Sequence, residues 1–221
     1  MLSPLQPVSS LTNSGTTMTT AWLCATAAAV SVVARSVPIP GESQFKYQRE
    51  YPTGNLFSNV TGYYTYSFGS TQLEKTMNDV LMGDTTQQKV DSVFGGSDNT
   101  GSVQLTMRAD VQEVAAKAID DFNAAQLASG NPESVQGSVV VMDPRTGAIL
   151  AMVSLPRFDA NQVADHDTAK AEQVLDFLNN YPGKPLLANA YQENYMPGSS
   201  FKVITTGIAL ENGITSMDRS W

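Results

Sequence analysis

Apolar positions in this chain recur every second residue in some segments and every three to four in others, and the two periods predict strands and helices respectively. Gly101 to Met107 alternates Val103, Leu105 and Met107, a strand pattern. Gly137 to Met142 and Ala148 to Ser154 are near-continuous apolar runs joined by Asp143-Pro-Arg-Thr-Gly147. They predict a hairpin whose strands are covered on both faces. Tyr63 to Phe68 reads as a short aromatic strand. The clearest helix begins at Asp110 and carries Val111, Val114, Ala115, Ala118, Ile119 and Phe122 on one face, with Gly130 and Pro132 closing it. A second helix is expected after Thr71-Gln-Leu-Glu74, a capping-box pattern in which Glu74 would reach back to the cap amide, and runs to about Met82 and Gly83. A weaker helix is expected over residues 168–179, with His166 in the solvated loop before it. The last begins at Ser199-Ser-Phe-Lys202, is lined by Val203, Ile204, Ile208 and Leu210, and ends at Asn212-Gly213.

Between these segments, residues 35–62 are broken by Pro38, Pro40, Gly41, Pro52, Gly54 and Gly62, and residues 84–100 are polar and glycine-rich, the expected domain boundary. The start differs from the rest. No Asp, Glu, Lys or Arg occurs from Met1 to Ala34, and Ala21 to Ala34, which includes Cys24, is apolar. That run is shorter than the ~20 residues a membrane span needs. Val32-x-Ala34 has the small-residue look of a cleavage site, but no positive region precedes it. Residues 1–36 are therefore read as an uncertain segment, either an export or anchor signal or a spurious start. The chain stops at Trp221, eight residues beyond Gly213, so the expectation is a chain cut inside a domain.

Composition narrows the chemistry. Of 221 residues only 15% are charged, with a net charge of −8, a balance that disfavours nucleic acid as a partner. One Cys and one His exclude a disulfide framework and a clustered cysteine or histidine metal site within the chain, so neither metal nor cofactor is expected. What remains is Ser, Lys, Asp, Glu and Tyr chemistry.

Ser199 and Lys202 stand at i and i+3, on one face of a first helical turn. A serine becomes a nucleophile when a neighbouring base takes its proton. A lysine acting as that base must be neutral, and carrying it from ~10.4 to ~7 takes about 4–5 kcal/mol of desolvation or cationic neighbours. A lysine at the start of a buried helix would meet that condition. The helix N-terminus would favour a developing oxyanion at Ser199. Ser43-Gln-Phe-Lys46 has the same spacing but sits in an extended stretch and is not expected to act.

Pro197-Gly-Ser-Ser-Phe-Lys202, preceded by Val140-Val-Met-Asp-Pro-Arg-Thr-Gly-Ala-Ile-Leu-Ala151, resembles the transpeptidase domain of class B penicillin-binding proteins. Leu105-Thr-Met107 looks like the entry to that domain, and Tyr51-Pro-Thr-Gly54, Thr61-Gly-Tyr-Tyr64 and Gly69-Ser-Thr-Gln-Leu-Glu74 look like its preceding non-catalytic module. The resemblance implies an α/β fold of the α+β type: residues 37–100 as the small module and linker, and residues 101–221 as the first part of a serine β-lactamase-like transpeptidase domain. It implies Ser199 as the acylated nucleophile and Lys202 as general base. The substrate would be the D-Ala-D-Ala end of a peptidoglycan stem peptide, and β-lactam antibiotics would acylate the same serine. It places the protein at the extracytoplasmic face of the membrane, beside division or elongation membrane proteins. Met196 and Ser200 stand where the family more often has Pro and Thr, and neither the S-x-N nor the K-T-G motif follows Lys202. The expectation is thus an N-terminal fragment that is inactive on its own. Two other readings stay open: a serine β-lactamase or β-lactam sensor, and a non-catalytic division or elongation scaffold.

Overall fold

The computed structural model describes residues 21–25, 30–41, 44–82, 101–131 and 136–219. The expected boundary at 84–100 and the Ser43 motif's serine lie outside the described residues.

Of the apolar run read as an export or anchor signal or a spurious start, the described residues lie in two antiparallel strands, β1 (Ala21–Ala25) and β2 (Val30–Pro38). β3 (Tyr47–Glu50) pairs antiparallel with β2, and β6 (Val103–Leu105) pairs parallel with β1, giving the sheet order β3-β2-β1-β6. Val33 and Ala34 of β2 are fully buried. Among the described residues no helix is long and apolar enough to cross a membrane.

Residues 51–57 form successive turns into the short helix α1 (Ser58–Thr61). The strand expected over 63–68 is only a two-residue ladder, β4 (Tyr64–Thr65) with β5 (Gly69–Ser70), because the Thr65 hydroxyl takes the Phe68 amide and folds the segment back. The helix expected to Met82 is split into α2 (Gln72–Thr76) and α3 (Asn78–Leu81). The capping box does not form. Thr71 Oγ1 accepts instead from the Tyr63 amide at 3.2 Å, and Glu74 is drawn inward to other partners.

α4 (Ala109–Ala128) is the long helix, and its buried residues are Gln112, Ala115 and Ala116. Val114 and Phe122, assigned to the apolar face, are exposed. Gln112 outranks them because its amide meets three backbone groups. Its Nε2 donates to the carbonyls of Leu56 and Met152, and its Oε1 accepts from the Met152 amide.

β7 (Gly137–Met142) and β8 (Ile149–Leu155) form the predicted hairpin. Asp143 organises its turn by accepting from the Arg145 amide, which also holds the Asp143 carboxyl below its ordinary pKa. Gly147, at φ +74°, closes the turn in a region most residues avoid. β8 is buried at Ala151 and from Val153 to Leu155, but Val140 and Met142 on β7 are exposed, so cover on both faces is confined to the end of β8. α5 (Ala160–Val163) and α6 (Thr168–Asn180) follow, with Asp159 and Asp167 as their N-caps.

One apolar cluster joins Val33, Tyr51, Phe57, Tyr63 and Leu81 to Phe158, Val163, Leu175 and Leu178. Residues 33–81 and 158–178 therefore share a core. A second cluster packs Ala115 and Ala116 of α4 on Ala151 and Val153 of β8.

Candidate functional site

The path to Ser199 is built from the hairpin outward. At the end of β8 the Leu155 carbonyl accepts from Asn189 Nδ2 at 2.7 Å, and Ser154 Oγ accepts from the Ala190 amide at 3.1 Å. Both side chains are buried, and they fix α7 (Asn189–Gln192) against the hairpin. The loop before α7 is held from the other side. Asn59 of α1 donates to the Pro185 carbonyl at 3.0 Å, and Gln72 of α2 donates to that of Leu186 at 3.1 Å. Gly183 belongs to the same loop. A Cβ there would lie 2.8 Å from the Pro156 ring. Residues of the small module thus help set the course of the segment that leads to Ser199. No local sequence pattern marked Asn59 or Asn189, and Gln72 stood only as an interior position of the Gly69–Glu74 motif.

Gly198, at φ +51°, turns the chain into a 3₁₀ turn (Gly198–Phe201), and the helix α8 (Lys202–Glu211) continues from it. In a 3₁₀ turn residues three apart eclipse one another. Ser199 and Lys202 therefore share an edge, as the S-x-x-K spacing predicts. The tighter turn, in place of a regular first α-turn, is set by Ser200, whose hydroxyl and amide both donate to the Pro197 carbonyl.

The expected burial is not found. Residues 191–208 are exposed throughout, Ser199 and Lys202 among them, and α8 buries no residue. Val203, Ile204 and Ile208 lie open. No other described element packs over α8, so desolvation of Lys202 by a surrounding core is absent among the described residues. Ser199 and Lys202 are brought to one edge; among the described residues no water-excluding pocket is built around them.

The small module has a charged centre of its own. Glu74 Oε1 accepts from Arg49 Nε at 2.7 Å and from the Tyr51 hydroxyl at 3.0 Å. The Tyr51 oxygen in turn accepts from the Tyr64 amide at 2.8 Å. Burial pushes the Glu74 carboxyl up, against the pull of Arg49. Burial, with Glu74 adding to it, pushes the Tyr51 phenol well up. Among the described residues no group of three or more His, Cys, Asp or Glu is placed to hold a metal ion.

Residues 26–103 match the penicillin binding protein A dimerisation domain, and residues 137–220 match the penicillin binding protein transpeptidase domain. The chain is 39% identical over 176 residues to the peptidoglycan D,D-transpeptidase PbpA of Mycolicibacterium smegmatis, covering 78% of this chain and 34% of that protein. It is 29% identical over 213 residues to the peptidoglycan D,D-transpeptidase MrdA of Escherichia coli, covering 82% and 32%. Penicillin-binding protein A of Mycobacterium tuberculosis, as its penicillin G acyl-enzyme complex, superposes with a TM-score of 0.78 at 30% identity, covering 92% of this chain and 44% of that one. The chain spans about a third of the length of the two named transpeptidases. With two domain matches in this order along most of its length, the chain belongs to the penicillin-binding proteins in which a dimerisation domain precedes a transpeptidase domain. The mixed strand and helix architecture agrees with the fold class expected from the sequence.

Proposed function

We propose that this chain carries the nucleophile and base of a peptidoglycan D,D-transpeptidase: Ser199 is acylated and Lys202 takes its proton. The observation that carries this reading is the i, i+3 placement of Ser199 in the 3₁₀ turn and Lys202 at the start of α8, the Lys202 amide donating to the Ser199 carbonyl. It is supported by relatives named as D,D-transpeptidases and by a structural neighbour described as a penicillin G acyl-enzyme.

In acylation, Lys202 Nζ accepts the Ser199 hydroxyl proton as Oγ attacks the carbonyl of the penultimate D-Ala. The terminal D-Ala leaves as an amine, taking a proton from the protonated lysine. An amine of a second stem peptide then attacks the ester, forming the crosslink and freeing Ser199. A β-lactam enters the same first step, its ring amide opening onto Oγ. Peptidoglycan is assembled outside the membrane, so the protein acts at the extracytoplasmic face, beside division or elongation proteins. Lys202 is exposed among the described residues, so slow reaction of the isolated 221-residue chain with a β-lactam is expected.

The test is labelling with a fluorescent penicillin in cells expressing the protein from its own locus. A stable covalent label that disappears in Ser199→Ala is the expected result. No label with Ser199 intact, or a label that persists in Ser199→Ala, overturns the reading. Rapid β-lactam turnover with no stable acyl-enzyme points to a β-lactamase instead.

A further inference from the structure

A cavity of about 420 Å³ opens where the two matched regions meet. Its walls come from the segment ahead of β3, the β4–β5 hairpin and α3 on one side, and from Ala164 and His166 on the other. Its size lies within the ~300–1,000 Å³ of small-ligand sites, which concentrate at domain junctions.

Three of the rings that line it form a corner. Phe45 and His166 stack with centroids 4.1 Å and planes 18° apart. Tyr66 meets Phe45 edge-on at 5.2 Å and 73°. Tyr66 is 73% exposed, so its ring adds little to the core. The buried Arg49–Glu74 pair lines the cavity with both signs of charge, and Asn78 lines it with an amide.

This combination selects a chemistry. An ion of either sign gains from one member of the pair and loses from the other. A neutral group that donates and accepts at adjacent points satisfies both, and each hydroxyl of a vicinal pair does so. The ring faces, negative at their centres, suit weakly positive C–H bonds. A pyranose presents C–H bonds on its flat face and hydroxyls at its rim.

We infer that this cavity binds a neutral saccharide, one pyranose lying against Tyr66 with its hydroxyls turned to Arg49, Glu74 and Asn78. The site uses neither Ser199 nor Lys202 and stands independently of the transpeptidase reading. That reading adds one refinement, an N-acetylated amino sugar of the glycan strand.

Saturation-transfer NMR of the 221-residue chain with triacetylchitotriose and, separately, maltotriose tests it. Saturable binding of at least one trisaccharide is expected, weakened about tenfold or more in Tyr66→Ala and in Asn78→Ala. Phe177→Ala, at an exposed ring elsewhere, and Ser199→Ala leave it unchanged. Absence of binding by both sugars, or binding equal in the wild type and both cavity variants, overturns the inference. Maltotriose binding without chitotriose keeps the site and removes the amino-sugar refinement. Failure of penicillin labelling bears only on Ser199.

Discussion

Arg49 and Glu74 face each other at 2.7 Å with both side chains almost wholly out of solvent, joining β3 to α2 beneath the cavity. Breaking a buried pair from one side removes the attraction that offsets the desolvation of the other charge, which costs about 3–5 kcal/mol. Glu74→Ala is expected to lower stability by that amount in urea unfolding. The Ser36 hydroxyl also accepts from Arg49 Nη1, at 3.2 Å.

Tyr51 gives the fold an alkaline limit. Its phenol titrates well above its ordinary value in the folded state, so the native protein keeps a proton that the unfolded chain loses near pH 10. The stabilisation is complete below the unfolded value and is lost as pH rises through the folded one. Between those two values wild-type stability falls with pH. Tyr51→Phe, although less stable at neutral pH, is expected to show a flatter fall in that range, read from urea midpoints at successive pH values.

Gln112 is the tie between α4, the hairpin and the turns before α1. Replacing it with Met keeps the volume and strands the Leu56 and Met152 carbonyls and the Met152 amide. The expected loss is about 2–4 kcal/mol, at one to three per buried polar group left unpaired and with partial relaxation. Circular dichroism during thermal unfolding measures it.

Gly62 has φ +72°, and a Cβ there would lie 2.5 Å from the Thr71 carbonyl and 2.6 Å from its hydroxyl. Backbone rather than a flexible side-chain end blocks it. Gly62→Ala is expected to cost about 3 kcal/mol or more, or to prevent accumulation of folded protein. The soluble yield and urea midpoint report it.

Ser199→Ala and Lys202→Met change exposed side chains outside any core. Each is expected to shift stability by no more than about 0.5 kcal/mol while abolishing covalent penicillin labelling in the cell envelope. A large fall in stability from either would assign it a structural role.

Period and turn chemistry made the β7–β8 hairpin and α4 legible, and motif order made the Ser199–Lys202 edge and the family legible. What stayed hidden shares a cause. Glu74 reads locally as a capping residue, yet its partners Arg49 and Tyr51 are 25 and 23 residues away. Gln112 reads as polar surface, yet it is fully buried because segments 56 and 40 residues distant supply its bonds. The exposure of α8 was equally unreadable, since an apolar helix pattern states that a face needs cover and not which element provides it.

The core shared by residues 33–81 and 158–178 constrains how this gene can exchange segments with its relatives. A crossover between the dimerisation and transpeptidase regions would pair Tyr51, Phe57 and Tyr63 from one parent with Phe158, Val163 and Leu178 from another, across one packed surface. Viable mosaics should therefore inherit these two stretches together, with their breakpoints falling elsewhere.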